Sequence, residues 1–337
     1  MPDTAADIPS VPSVVECTRP IAAGAPVVAV HMLGNEAVFV LGEEALLIAG
    51  KAEPRRVAVH GGGILCAASD GRRVVTGGDD GKVVAATATG ETAVIAADAK
   101  RRWIDHVAVS GDGAVAWSAG RQAFVKPAKG EERTQEFPSS VGGLAFAPKG
   151  FRLAVAHYNG VSLWFANAAA KPEVLEWKGS HLAVTFSPDG RFIVTAMQEP
   201  TLHGWRLADG RNMRMSGYNA KVRSLSWSAG GKWLATSGST QLILWPFQGK
   251  DGPMGKQPEL LAPRDKRVVA VACHPAQDVV AVGYEDGLIL LVRIGDGAEI
   301  LARKPDGDAV AAIAWSASGA LLAFGTEGGE AGILDLA

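Results

Sequence analysis

The chain predicts an all-β fold assembled from one repeated antiparallel unit, and three observations carry that prediction. An apolar run, a polar turn and a second apolar run recur throughout, most clearly in Leu182-Ala-Val-Thr-Phe-Ser-Pro-Asp-Gly-Arg-Phe-Ile-Val-Thr-Ala-Met197. Further copies occupy residues 222–236 and 310–335. Glycine supplies 41 of 337 residues and is spread along the whole chain. Scattered glycine between short Val-rich runs reads as many tight turns between many strands, not as a linker. Apolar residues make up 47% of the chain, enough for a sizeable core.

The elements follow in order from the turn residue that closes the first two strands of each unit. It falls at or near Asn35, Gly71, Gly113, Gly150, Gly190, Gly231, Gln277 and Gly319, with spacings of 36 to 46 residues. The second strand ends in a polar turn, as at Gly77-Gly-Asp-Asp-Gly81, His157-Tyr-Asn-Gly160 and Tyr284-Glu-Asp-Gly287. A third apolar run follows, closing on Trp at Trp164, Trp205 and Trp245, and a more polar fourth run completes the unit. Four short strands in about 40 residues form the blade of a β-propeller, a unit that must stack on its neighbours to bury its apolar faces.

The prediction is a closed propeller of four-stranded antiparallel blades, eight by this count. Seven stays open as the alternative, because the copy over 27–48 is the most degenerate. Only 18 residues follow Gly319, too few for an outer strand. The stretch 13–20, Ser-Val-Val-Glu-Cys-Thr-Arg-Pro, is expected to supply that strand and remove two exposed sheet edges. The whole chain, 1–337, then reads as one domain, with 1–12 flexible.

These residues resemble the WD40-repeat family over almost the whole chain. Ser187-Pro-Asp-Gly190, Ser69-Asp-Gly71 and Asp80-Gly-Lys-Val83 match its turn motifs. The signature dipeptides are eroded: Trp164, Trp205 and Trp245 are followed by Phe, Arg and Pro, and only Leu334-Asp335 keeps the Asp. The Gly-His pair survives as variants such as Gly217-Tyr218. The resemblance implies a protein-binding propeller whose His–Asp hydrogen-bonded tetrad is incomplete.

Catalytic and cofactor signatures are missing. Gly77-Gly-Asp-Asp-Gly-Lys82 has the wrong spacing for a phosphate loop, and Val83 stands where Ser or Thr is required. The seven His are dispersed over different units and no Cys-x-x-Cys occurs, so no metal or cofactor site is expected. Nor is there a Gly-x-Ser-x-Gly elbow. Three separated Cys suit a reducing compartment. The start of the chain carries acidic residues and no apolar core of a signal peptide. With no run of 18 apolar residues, the expectation is a cytoplasmic protein without a membrane span. A net charge of −2 supplies no global field toward nucleic acid.

What remains is a rim. All three Tyr map to loops on one face, where basic residues also gather. Tyr, Trp and Arg are the side chains most enriched at binding hot spots. The candidate partner-binding set is Arg101, Arg102, Trp103, Tyr158, Tyr218, Arg223, Arg264, Lys266, Arg267 and Tyr284. The expected function is a non-enzymatic scaffold that presents this rim to an acidic segment of a partner protein. The alternatives are a hydrolase or lactonase-like enzyme using the axial pocket and a nucleic-acid-associated propeller. Inner-strand runs such as Val268-Val-Ala-Val-Ala272 are small and apolar, which disfavours the enzyme.

Overall fold

The computed structural model describes residues 11–337, and these form strands joined by short turns, with two brief 3₁₀ segments. The strands make seven hydrogen-bonded antiparallel sheets. Six have four strands; the seventh, covering 143–215, has six. That sheet contains two of the sequence repeats, those turning at Gly150 and Gly190. Two double-length segments make this possible. Leu153–Trp164 reverses around Tyr158, Asn159 (φ 68°) and Gly160 (φ 148°). Glu173–Phe186 pairs first with the segment before it and then, from His181 onward, with Phe192–Met197. Counted as hydrogen-bonded sheets the ring has seven members, the second of the two counts, although eight turn repeats are present.

The innermost strands touch in cyclic order. Val27–Leu33 contacts Ile64–Ser69, which contacts His106–Val109, then Gly143–Phe146, then Glu173–Phe186. Beyond it the Trp227 indole N–H donates to Thr185 Oγ1 at 3.0 Å, reaching Leu225–Trp227. Val268–Cys273 and Val310–Trp315 follow, and the latter packs against Val27–Leu33. The Trp315 indole N–H likewise crosses to Ala272 O at 3.0 Å.

Sheet packing explains several residue choices. Apolar clusters draw on adjacent sheets, as where Phe39 and Leu47 meet Ala323 and Ile333. A Cβ on Gly325 would fall 2.4 Å from Val27 Cγ1, and one on Gly283 2.6 Å from Val310 Cγ1. Neither distance leaves room for a methyl group, so the next inner strand can approach only where the second strand lacks a side chain. At Ser187-Pro-Asp-Gly190 the turn is held by Gly190 N–H donating to Ser187 O at 2.8 Å and Phe192 N–H to Ser187 Oγ at 2.9 Å.

The N-terminal segment is held in two places. Val14 N–H donates to Leu301 O at 2.9 Å and Leu301 N–H to Pro12 O at 2.8 Å, extending the 268–303 sheet. After a 3₁₀ turn at Val15–Cys17, strand Thr18–Ala22 pairs antiparallel with Glu330–Asp335, Thr18 opposite Leu334. Pairing thus occupies 18–22 rather than 13–20. Pro20 is compatible with this outermost position, where a missing N–H need not interrupt the ladder. Of the stretch 1–12 expected to be flexible, residues 1–10 lie outside the described residues.

Candidate interaction face

The face that carries the turns between second and third strands also receives the loops entering each first strand. Its loop 98–105 is organised by Asp98, whose carboxylate accepts from Lys100 N–H (2.9 Å), Arg102 N–H (3.2 Å) and the Arg102 guanidinium (2.6 Å). Those bonds from Arg102 hold the Asp98 carboxyl below its ordinary range. Arg102 also reaches Gln122 Oε1 at 2.8 Å, so it is spent inside the protein. The same loop leaves Arg101 exposed at φ 53° and Trp103 63% exposed. Tyr158, at its tight turn, is 51% exposed.

Two of the three tyrosines are elsewhere than the sequence suggested. Tyr218 is buried: its hydroxyl lies 3.0 Å from Thr236 Oγ1 and accepts the Trp245 indole N–H at 2.7 Å. Tyr284 is fully buried and donates to Ala262 O at 2.6 Å. Both are core residues with satisfied hydroxyls, not partner contacts. A tyrosine near a turn can bury its ring while its hydroxyl finds a partner, and loop position in the sequence does not distinguish the two outcomes.

The missing Gly-His pair has a similar resolution. Tyr218 takes the place of His in linking a second-strand Thr to a third-strand Trp. At the 64–97 sheet, His60 instead links second-strand Thr76 (2.8 Å) to the turn residue Asp80 (3.0 Å). The network is incomplete in each case, with different members kept in different sheets.

Among the basic candidates, Arg264 pairs with Glu299 and is partly buried. Arg267 pairs with Glu285 at 2.8 Å. Burial alone would raise the Glu285 carboxyl, but the hydrogen bonds from Arg267 outweigh it and hold the group below its ordinary range. Lys266 and Arg223 are exposed and make no ion pair among the described residues.

The structure gathers only Arg223 and Arg267 of the candidate set into one cavity. A depression of about 400 Å³ is lined by Lys221, Arg223, Gly238, Arg267, Glu285 and Glu327. Arg223 and Glu327 also line a neighbouring cavity of about 630 Å³ formed largely by the first strands, with Val28, Val269, Ala311 and Ile313. Arg101, Trp103 and Tyr158 line neither.

Sequence reasoning missed the apolar part of this mouth. Five first strands slip register just after their first residue paired with the second strand, leaving Val28, Leu65, Leu182, Val269 and Ala311 without a cross-strand partner. Val28, Leu65 and Leu182 are 51%, 44% and 40% exposed. A bulge of this kind re-aims a side chain away from the pleat. The letters in the five first strands look like ordinary strand residues, so no sequence signal marks the slip. Among the described residues, no group of three or more His, Cys, Asp or Glu is placed to hold a metal ion. Among the described residues, no helix is long and apolar enough to cross a membrane.

Ring, turn chemistry and family matches together define a WD40-repeat β-propeller. The WD domain, G-beta repeat model matches residues 53–84 and 211–246, and the anaphase-promoting complex subunit 4 WD40 domain model matches 267–337. The chain is 30% identical over 150 residues to meiotic recombination protein rec14 of Schizosaccharomyces pombe, a match covering 42% of this chain and 50% of that protein. It is 28% identical over 201 residues to telomerase protein component 1 of Rattus norvegicus, covering 57% of this chain and 7% of that protein. The chain thus spans half or less of the curated relatives it matches. Among solved structures, the computationally designed Ika8 protein superimposes with a TM-score of 0.75 at 18% identity, covering 92% of this chain and 96% of that one, a likeness of fold alone.

Proposed function

We propose that this propeller is a non-enzymatic platform that takes an acidic segment of a partner protein at the axial mouth of its turn face. The observation that supports this most directly is Arg223. It is exposed, has no carboxylate partner among the described residues, and lines both the polar depression and the apolar cavity beside it. A partner carboxylate would meet Arg223 and Lys221, while an adjoining apolar side chain would rest on Val28, Val269 and Ala311. Strands carry the apolar groups, and Lys221 and Arg223 lie in the short loop that enters strand Leu225–Trp227, so little ordering is required on binding. The mouth is mixed in charge, with Glu285 and Glu327 beside the cations. A nucleic-acid track would instead present cations without interruption. The three free thiols fit a reducing, cytoplasmic setting.

Affinity purification from native lysate tests the reading by comparing wild type with a Lys221→Glu, Arg223→Glu variant. The expected result is a protein recovered with wild type, resistant to nuclease, and lost from a variant that melts at the same temperature. Equal recovery by both would remove the axial mouth as the site.

A further inference from the structure

We propose a second binding site, away from the axial mouth, that takes a phosphorylated side chain of a partner protein. It is a cleft of about 360 Å³ between strand Asn212–Met215 and the segment 247–258, with Trp245 among its lining residues. Three cations line it, Arg211, Arg214 and Lys256, together with the amides of Asn212 and Gln257. Among the described residues that line it, none carries a carboxylate.

The absence of local acid has a structural reason. The segment 247–258 and the turn before Asn212 do contain carboxylates, Asp251 and Asp209. Both are taken by one largely buried guanidinium: Arg206 donates to Asp209 Oδ2 at 2.6 Å and also pairs with Asp251. Arg206 hydrogen-bonding, chiefly, holds the Asp209 carboxyl well down, at about 2; the Arg211 backbone N–H also donates to it at 3.3 Å and the Arg211 charge adds to the effect. Arg211 and Arg214 are exposed and make no ion pair among the described residues. Lys256 has only a carbonyl, donating to Gln248 O at 3.0 Å.

The cleft is also built rather than merely bordered by mobile side chains. Met254 packs on the cluster containing Phe192 and Trp245. Gly252 lies against Phe192, where an added Cβ would be 2.9 Å from Cζ. Lys256 N–H closes a turn onto Pro253 O at 3.0 Å. These contacts fix the loop against the sheet and set Lys256 in the same cleft as the two arginines.

Three cations lining one cleft, with neutral amide donors beside them, match a phosphoryl dianion and its acceptor oxygens, whereas one carboxylate would engage a single arginine fork. The enclosed volume suits one phosphoryl group and the side chain bearing it. A nucleic acid would need a longer cationic track.

The test uses the full chain and an arrayed peptide pool with a fixed phosphoserine or phosphothreonine, beside the matched unphosphorylated pool. Phosphorylated peptides should be retained at least about tenfold better, and Arg211→Gln with Arg214→Gln should lower that retention about tenfold or more. Lys256→Gln, on the exposed loop, should give a smaller loss, and Arg133→Gln, on the outermost strand of the 106–136 sheet and away from both proposed sites, none. Equal retention of the two pools, or retention unchanged in the double variant, would overturn the proposal. Thermal protection by inorganic phosphate, lost in the double variant, without capture of any phosphopeptide would overturn the peptide source in favour of a free anion. Tighter binding of a single-stranded oligonucleotide through the same residues would overturn it in favour of nucleic acid.

Discussion

The 225–261 sheet and the second half of the 143–215 sheet are built alike and treat their polar core differently. In the first, Thr236 Oγ1 donates to Ile243 O at 3.1 Å and meets the Tyr218 hydroxyl, which in turn accepts from Trp245. In the second, Thr195 Oγ1 donates to His203 O at 3.1 Å and meets His181, beside Trp205. The third-strand position filled by Ile243 in one sheet thus holds His203 in the other. His203 is fully buried, stacks on Trp177 with ring centroids 3.9 Å apart, and has no partner on either ring nitrogen among the described residues. Equivalent positions therefore tolerate a closed polar network or an unsatisfied one, and the two should differ measurably in stability.

The largest effects come from the tryptophans. Trp205→Ala and Trp245→Ala should each cost about 3–5 kcal/mol as core cavities. Trp245→Ala should cost more, because it also strips the donor from the Tyr218 hydroxyl. Urea denaturation of both variants checks the order; a greater loss at Trp205 would mean that the network in the 225–261 sheet contributes little. Next comes Tyr218→Phe, which keeps the ring but leaves the Trp245 indole N–H without its acceptor. It should lose about 1–3 kcal/mol, measured the same way.

His203→Ile, which copies the neighbouring sheet, should change stability in the opposite direction. It removes two unpartnered nitrogens, and the gain should be about 1–2 kcal/mol near pH 7, less whatever the Trp177 stack supplies. The gain should widen in acid. Burial lowers His203 to about 3, chiefly by desolvation, against an ordinary value of 6.5. Between those values the unfolded chain binds a proton that the native state refuses, so native stability falls as pH drops from 6.5 toward 3. The variant escapes that loss. Buried His31, lowered to about 4 by desolvation, acts in the same direction and remains in both proteins. Parallel melting curves from pH 7.5 to 4.5 should therefore diverge for wild type and variant; curves that stay parallel would mean that water reaches His203.

Much of this architecture was legible in the letters. Turn motifs at Gly71, Gly190 and Gly319 located hairpins, and Trp164, Trp205 and Trp245 are buried third-strand residues as their repeat positions implied. What could not be read depends on distances between units. The union of two repeats into one sheet arises because Glu173–Phe186 runs on from its pairing with Leu153–Trp164, where Ser180 faces Tyr158, into pairing with Phe192–Met197. Tyr218 and Tyr284 occupy loop-like sequence but are buried by contacts with other strands. The bulged residues Val28, Leu65 and Leu182 look like ordinary strand residues. Charge pairing is hidden for the same reason: Arg102, Arg264 and Arg267 meet Asp98, Glu299 and Glu285, while Arg223 meets no acid.

That last contrast yields the smallest expected change in stability and the sharpest separation of structure from binding. Arg267→Gln breaks an exposed pair with Glu285 and should cost less than about 1 kcal/mol. Arg223→Glu breaks no pair and should leave the urea midpoint unchanged, while reversing the charge at the junction of the two axial cavities. If Arg223→Glu instead destabilises the fold more than Arg267→Gln, Arg223 contributes to packing at the mouth and its exposure is not available to a partner. If the midpoint holds and partner recovery falls, the cation without an acid partner acts in recognition, and the paired arginine beside it serves the scaffold.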